Sequence, residues 1–248
     1  MSNIGTFFWY ELRTTDQDAA RAFYAQVAGW RAEPSREPGT FHRGDQRVAG
    51  LVDLPERARA LGAPAHWLGH IGVHDVDASA SRLVALGGQL LGPVRHATDG
   101  KVAILRDPQG VVLALSSRSE ASAGGAVAWH ELHTTDRARA WSTHAELFGW
   151  KATETLDLGP QVGPYQTFAW RDGERSVGAM ASTARAAHVH THWLFYLTVS
   201  DLDASLARVR SLGGTVDGPR QHPGGQRVAY CEDAQKAAFG LYEPARTR

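Results

Sequence analysis

Residues 9–30 read WYELRTTDQDAARAFYAQVAGW, and residues 129–150 read WHELHTTDRARAWSTHAELFGW. At a constant offset of 120, Trp9, Glu11, Leu12, Thr14, Thr15, Asp16, Gly29 and Trp30 recur as Trp129, Glu131, Leu132, Thr134, Thr135, Asp136, Gly149 and Trp150. A self-match at fixed spacing means that one structural unit has been written twice, and any fold for this chain has to contain it twice.

Inside the repeat the pattern changes from period two to period 3.6. Residues 6–13 alternate and are rich in aromatics, as a half-buried strand requires. Thr15 and Asp16 can then cap a helix, whose apolar face is Ala20, Phe23, Tyr24 and Val27 and whose stop is Gly29. Short segments at Arg31–Glu33, Thr40–Arg43 and Arg47–Asp53 complete a strand–helix–strands unit. The pattern restarts at His66. HWLGHIGVHDVD is a strand running to a cap at Asp75 or Asp77, with a helix over Ala78–Leu86 closed by Gly87–Gly88. Strands follow at Gln89–Gly92, Val102–Arg106 and Val111–Leu115, the last two joined by a tight turn at Asp107–Gly110. This module also recurs: HWLFYLTVSDLDAS begins at His192, offset by 126, and Gly213–Gly214 and Val228–Ala229 keep that offset.

The chain is therefore expected to hold four βαβββ modules in two pairs, 5–54 with 66–117 and 126–183 with 191–245. These define a first domain over 1–117, a Ser/Ala/Gly-rich linker over 118–125 and a second domain over 126–248. One module cannot bury its own sheet, so each pair should form a curved mixed sheet with helices outside and a concave inner face, an α+β fold. Such a concavity suits a small organic ligand.

Composition narrows the function classes. With 26 basic and 26 acidic residues the formal charge is zero, which gives no bulk attraction to nucleic acid or anionic membrane. No run of about 18 apolar residues is present and no signal peptide is read at the N-terminus. The single cysteine, Cys231, forms no intrachain disulfide, so a reducing cytoplasm is the default setting. A monomer or homodimer is expected.

Several motifs together carry a resemblance. They are the strand–T-x-D–helix–G-W opening (Thr14, Asp16, Phe23, Gly29, Trp30), the V-x-D-V-D-A module from Val73 to Gly88, and the D-P-Q-G turn before a last strand. Over nearly the whole chain they resemble the vicinal oxygen chelate superfamily, which includes glyoxalase I, bleomycin-resistance proteins, fosfomycin-resistance enzymes and extradiol dioxygenases. The resemblance implies the fold; the reaction has to be read from the site.

Metal-dependent members of that superfamily hold a divalent ion with His, Gln or Glu at four inward strand positions. Mapped onto this chain those positions are Trp9, Gly50, His70 and Ala114 in the first half, and Trp129, Ala179, Tyr196 and Gly240 in the second. Indole has no lone pair for a metal, and Gly and Ala carry no donor atom. Only His70 is a good ligand, whereas zinc and non-haem iron sites need about three. The expectation is no metal cofactor; the alternative is a divalent cation held near His70 by a rearranged set with Glu11 and His74. Strand alternation places Glu11 and Arg13 inward with Trp9, and His70 with His74. The second cavity is expected to hold Trp129, Glu131, His133 and Tyr196.

A carboxylate beside an indole in an apolar concavity should have a raised pKa suited to acid–base work, which makes Glu11 and Glu131 the catalytic candidates. The same glutamates can equally bond backbone or an arginine and organise the sheet. Trp9, Arg13, His70, His74, Trp129, His133 and Tyr196 are the expected ligand-contacting residues. HELH at 130–133 lacks the HExxH spacing of a metalloprotease helix, and His130 should pack against the helix layer. HVHTH (His188, His190, His192) reads as a solvated loop. The leading expectation is a protein that binds an aromatic organic molecule without a metal, or performs metal-free proton transfer on it. The alternative is a metal-dependent lyase or dioxygenase with its site around His70.

Overall fold

The computed structural model describes residues 3–32, 39–97, 99–118, 125–160, 162–221 and 225–245. Glu33 and most of the expected linker (119–124) lie outside the described residues.

The first module runs from β1 (Phe7–Thr14) through α1 (Gln17–Val27) to β2 (Arg31–Ala32), β3 (Gly39–Arg43) and β4 (Gln46–Asp53). A short α2 (Glu56–Ala60) leads to the second: β5 (His66–Gly72), α3 (Val76–Ala85), β6 (Gln89–Leu90), β7 (Arg95–Ala97), β8 (Gly100–Arg106) and β9 (Val112–Ser116). The third holds β10 (Val127–His133), α4 (Arg137–Phe148), β11 (Lys151–Asp157), β12 (Pro164–Ala169) and β13 (Gly178–Ala181), and a 3-10 turn at Thr183–Arg185 follows it. The fourth holds β14 (His192–Thr198), α5 (Leu202–Ser211), β15 (Thr215–Gln221), β16 (Arg227–Glu232) and β17 (Ala238–Glu243).

Each long helix starts at an aspartate that accepts a backbone hydrogen bond from the residue three further on. Asp16 caps at Ala19, Asp75 at Ala78, Asp136 at Arg139 and Asp201 at Ala204, at 2.9–3.0 Å. Satisfying one otherwise orphaned amide in this way is worth about 1 kcal/mol per helix. Because Asp75 is the cap, α3 begins two residues earlier than the apolar pattern suggests. Gly29, just past α1, takes the left-handed φ of 69° that releases the chain.

Two mixed sheets result. One has the strand order β2-β3-β4-β1-β5-β9-β8-β6 with β7 on β8, and the other β11-β12-β13-β10-β14-β17-β16-β15. The fold is α+β, as expected from the module pattern. By packing, the chain forms two compact units built from separated segments: Met1–Phe8, Leu68–Ser122 and His130–Trp193 in one, Trp9–Trp67, Ala123–Trp129 and Leu194–Arg248 in the other.

In the unit containing α3 and α4, Trp150 stacks on Phe168 at 4.6 Å and meets the edge of Trp193, with Phe148 and His144 against it. In the unit containing α1 and α5, the core is Tyr24, Trp30, Phe41, Trp67 and Phe239. Its helices are tied by Ser205 Oγ donating to the Val27 carbonyl at 2.9 Å and Arg208 donating to that of Gln26 at 2.8 Å. Burying each large aromatic contributes roughly 2–3 kcal/mol, so these clusters hold the helices to their sheets.

Candidate functional site

Period-two alternation on β1 sends Tyr10 to the helix side, where it meets Phe195 edge-on at 5.0 Å. Trp9, Glu11 and Arg13 take the other face. Glu11 stands opposite Gly50 in the parallel β1–β4 register, and Gly50 in turn faces Thr40 of β3. The Trp9 indole and the Glu11 methylenes lean over Gly50: a Cβ there would lie 3.4 Å from Trp9 Nε1 and 3.2 Å from Glu11 Cγ. Arg47 places its guanidinium 5.3 Å from the centre of the Trp9 ring, a cation–π contact. Arg13 donates to Glu11 Oε2 at 3.3 Å. His66 is held by its Nδ1 at 2.9 Å from the Pro64 carbonyl. Burial lowers its pKa, with Arg13 acting in the same direction and Glu11 against it. Arg47 and His66 escaped the sequence reading.

The other unit carries Glu131 and His133 of β10. Glu131 pairs with Ala179, which pairs with Thr167; His133 pairs with Ala181, which pairs with Tyr165. The two alanines leave room for the larger side chains beside them. Glu131 is buried, and its Oε1 lies 3.7 Å from His133 Nε2. The other ring nitrogen of His133, Nδ1, is 2.7 Å from Thr183 Oγ1. His192 stacks on the His133 ring, with centroids 4.9 Å apart and planes inclined by 22°. Burial pushes the pKa of His133 down to about 4. The pKa of His192 is likewise about 4, through burial and then the neighbouring His133. Both rings are therefore neutral at pH 7, and the Glu131–His133 contact is not an ion pair there.

This placement corrects the reading of HVHTH as a solvated loop: His192 is the first residue of β14 and lies half-buried under His133. His130 packs as expected, stacked on Phe7 at 5.2 Å with Nδ1 2.8 Å from the Val177 carbonyl, and burial lowers its pKa to about 4. His70 is buried opposite Ala114. His74 is not on its strand. β5 ends at Gly72, where the backbone of Gly5 and Thr6 hydrogen-bonds across it, and His74 lies exposed in the following bend.

The third feature is an aromatic wall in the unit that contains β14 and β17. Tyr196 pairs with Gly240, and Gly240 with Tyr230. The ring of Tyr196 occupies the space a Cβ at Gly240 would need. Tyr196 and Tyr230 meet edge-to-face at 6.0 Å. Around Leu194, Tyr196 and Val228 pack Trp129, Tyr230, Ala238 and Tyr242. Arg220 lies over Tyr230 at 5.0 Å, and Asp217 holds it with bonds of 2.7 and 2.8 Å. Trp129 and Tyr196 were anticipated. Tyr230, Tyr242 and Arg220 were not, although the alternation of Val228 with Tyr230 and of Ala238 with Tyr242 signals their common face.

Residues 9–116 match the family model of a glyoxalase-like domain, and residues 123–239 match that of the glyoxalase/bleomycin resistance protein/dioxygenase superfamily. The chain belongs to the vicinal oxygen chelate superfamily.

Within it, the chain is 28% identical over 256 residues to CFP32 of Mycobacterium tuberculosis (strain CDC 1551 / Oshkosh), covering 97% of this chain and 95% of that one. It is 27% identical over 258 residues to the anthracycline biosynthesis protein DauV of Streptomyces sp. (strain C5), covering 95% and 92%. The Mn(II)-bound glyoxalase of Novosphingobium aromaticivorans shares the fold, with a TM-score of 0.67 at 14% identity over 99% of this chain and 84% of that one.

That neighbour's manganese makes the donor set of this vicinal oxygen chelate protein the deciding test for a metal. Opposed in register on β14 and β17 are Tyr196 and Gly240, and on β5 and β9 His70 and Ala114. Gly50 is covered by Trp9 and Glu11. Among the described residues, no group of three or more His, Cys, Asp or Glu side chains is placed to hold a metal ion. These residues do not fit a chelated divalent cation.

Proposed function

We propose that this protein binds a planar, largely aromatic organic molecule against the wall formed by Trp129, Tyr196, Tyr230 and Tyr242, and does so without a metal. The observation that carries the reading is the buried Tyr196 ring seated over Gly240, at what corresponds to a metal-ligand position of the superfamily, as the backing of the partly exposed Trp129, Tyr230 and Tyr242. Faces and edges of such rings attract other aromatics by about 0.5–1.5 kcal/mol per contact beyond area burial. Arg220 over Tyr230 adds a cation at the margin of the wall. The kinship with DauV supports the ligand class, since anthracyclines are polycyclic aromatics. The catalytic form of this reading is proton transfer by a glutamate of the repeated strand.

The test is a titration of the full chain with 9,10-anthraquinone-2-sulfonate, followed by quenching of tryptophan fluorescence, with and without EDTA. Saturable binding that EDTA does not change, weakened at least tenfold (about 1.4 kcal/mol) by Tyr196→Ala or Tyr230→Ala, is the expected result. Binding that needs added Mn²⁺ and is lost in His70→Ala would instead establish the metal-dependent alternative. Absence of saturable binding would overturn the proposal.

A further inference from the structure

The strand beside the aromatic wall carries a charged pair on the wall's own face. Between β15 and β16 the register runs from Asp217 opposite Tyr230 to Arg220 opposite Val228, so that three steps on one strand answer two on the other. Residues three apart on a regular strand point to opposite faces, and this one-residue bulge cancels the alternation. Asp217 and Arg220 therefore both stand on the side of Tyr230 and Val228. The bulge depends on Gly218, whose φ of 129° suits glycine and where a Cβ would lie 3.1 Å from that of Ala229. Arg227, one residue before Val228, turns to the opposite face and holds Asp203 of α5 at 2.8 and 3.0 Å.

The fold does not require these charges. At the offset of 126 the first copy has Leu91, Val94 and Ile104 where the second has Asp217, Arg220 and Tyr230. The backbone pairing survives the exchange, since the Leu91 amide donates to the Ile104 carbonyl at 2.9 Å. In the second copy the guanidinium carbon of Arg220 lies 5.0 Å from the centre of the Tyr230 ring, a cation–π distance. Nη2 donates to both carboxylate oxygens of Asp217 at 2.7 and 2.8 Å, and Nη1 to the Asp217 carbonyl at 3.2 Å. The side chains of Arg220 and Asp217 are 48% and 69% exposed, so water can take over the Asp217 carboxylate at little cost.

We infer that Arg220 sets the specificity of the wall: the planar aromatic molecule bound there carries an acidic substituent, a carboxylate or an ionised phenol, whose anionic oxygen takes the guanidinium over from Asp217. The inference rests on the ligand-binding reading above, and Trp129, Tyr196, Asp217, Arg220, Tyr230 and Tyr242 all belong to one compact unit. Asp217 acts as a place-holder. It keeps the guanidinium over Tyr230 before any ligand arrives, so little side-chain freedom is lost on binding. An anionic oxygen on a ring stacked against the wall meets the same guanidinium where the rings exclude water from one side, and a charge-assisted hydrogen bond there is stronger than one to the exposed Asp217. The Asp217 carboxylate returns to water. A neutral ligand gains the stacking alone and leaves the Arg220–Asp217 pair as it was.

Two ligands of one shape and different charge test this: 9,10-anthraquinone-2-carboxylate and its neutral 2-carboxamide, each titrated into the full chain at pH 7 and followed by tryptophan quenching. The wild type is expected to bind the carboxylate about tenfold or more tighter than the carboxamide. Arg220→Gln should bring the two affinities within about threefold of each other, chiefly by weakening the carboxylate. Asp217→Asn removes a like charge beside the bound anion. It should tighten the carboxylate by about threefold or more and leave the carboxamide within about twofold. Thermal melts confirm that both variants are folded, as their exposed positions lead one to expect. A wild-type preference well short of tenfold, a preference that survives Arg220→Gln, or a weaker carboxylate in Asp217→Asn overturns the inference. The two readings fail separately: if both ligands bind equally well, the inference alone falls, and if neither binds, the ligand-binding reading falls with it.

Discussion

The phenol ring of Tyr196 fills the space in which a side chain at Gly240 would stand, across the parallel β14–β17 pair. A methyl group at 240 has to displace a ring that is buried and packed against Tyr230, Leu194 and Val228. Overpacking of this kind costs about 1–3 kcal/mol. Gly240→Ala is therefore expected to lower the free energy of urea unfolding by that amount and to weaken anthraquinone-2-sulfonate binding together with it. Unchanged stability and binding would show that the ring is not held where the wall needs it.

Acid should destabilise the protein before its carboxylates titrate. His130, His133 and His192 have pKa values near 4 in the folded chain, against the ordinary 6.5, and burial is the first cause for each. The unfolded chain takes up these protons near pH 6.5 and the folded chain only near 4. Between those values the unfolded state binds more protons, so stability falls as pH drops through this window and levels off below it. Each histidine can contribute up to roughly 3 kcal/mol. Urea unfolding at pH 7, 5.5 and 4.5 should show the decline, and a curve flat over this range would contradict the buried neutral rings.

The repeat, the four modules and the aspartate caps were legible because they rest on local physics. Asp16 or Asp201 bonds an amide three residues on, and period two against period 3.6 separates strand from helix wherever the chain has a buried face. Pairings across the sequence were not legible. Nothing near His192 announces that its ring lies on His133, and its polar neighbours His188 and His190 suggest a loop. His74 fails for the opposite reason: alternation was carried past Gly72, where a backbone bridge to Ile4 and the approach to the Asp75 cap end the strand. At the candidate site, Trp9, Glu11 and Arg13 follow from strand alternation alone. The contact of His133 Nδ1 with Thr183 Oγ1, 2.7 Å apart across 50 residues of sequence, is one that alternation does not announce.

Tyr24 links two buried groups within one unit. Trp67 Nε1 donates to the Tyr24 hydroxyl at 3.0 Å, and that hydroxyl donates to Asp233 Oδ2 at 3.1 Å. Asp233 Oδ1 meanwhile receives the amides of Gln235 and Ala237, both at 2.9 Å, fixing the turn before β17. Tyr24→Phe removes one oxygen and leaves an indole N–H and a carboxylate oxygen buried without it. The expected cost is about 1–3 kcal/mol in urea unfolding. A loss below about 0.5 kcal/mol would mean that water replaces the hydroxyl.

The second copy lacks that hydroxyl already. At the offsets of the repeat, Tyr24 becomes His144, Asp233 becomes Asp107 and Trp67 becomes Trp193. The aromatic frame is kept, with Trp193 edge-on to His144 at 5.6 Å, where Trp67 meets Tyr24 at 5.3 Å. The polar contacts are not kept. Nε2 of His144 stops 3.9 Å from Asp107 Oδ2, and His144 Nε2, Asp107 Oδ2 and Trp193 Nε1 are buried without a hydrogen-bond partner among the described residues. Burial lowers the pKa of His144 in spite of the nearby carboxylate, so the ring is neutral and forms no ion pair to compensate. A tyrosine at 144 would carry its hydroxyl beyond the reach of the imidazole and restore the Trp–Tyr–Asp chain of the first copy. Its larger ring has a precedent in the buried Tyr24. His144→Tyr is expected to raise stability by about 1–2 kcal/mol, the worth of the hydrogen bonds gained less the loss of the His144 Nδ1 bond to the Ala140 carbonyl. Urea unfolding at pH 7 measures the gain. A decrease would show that Trp150 and Phe148 leave too little room around residue 144 for the exchange.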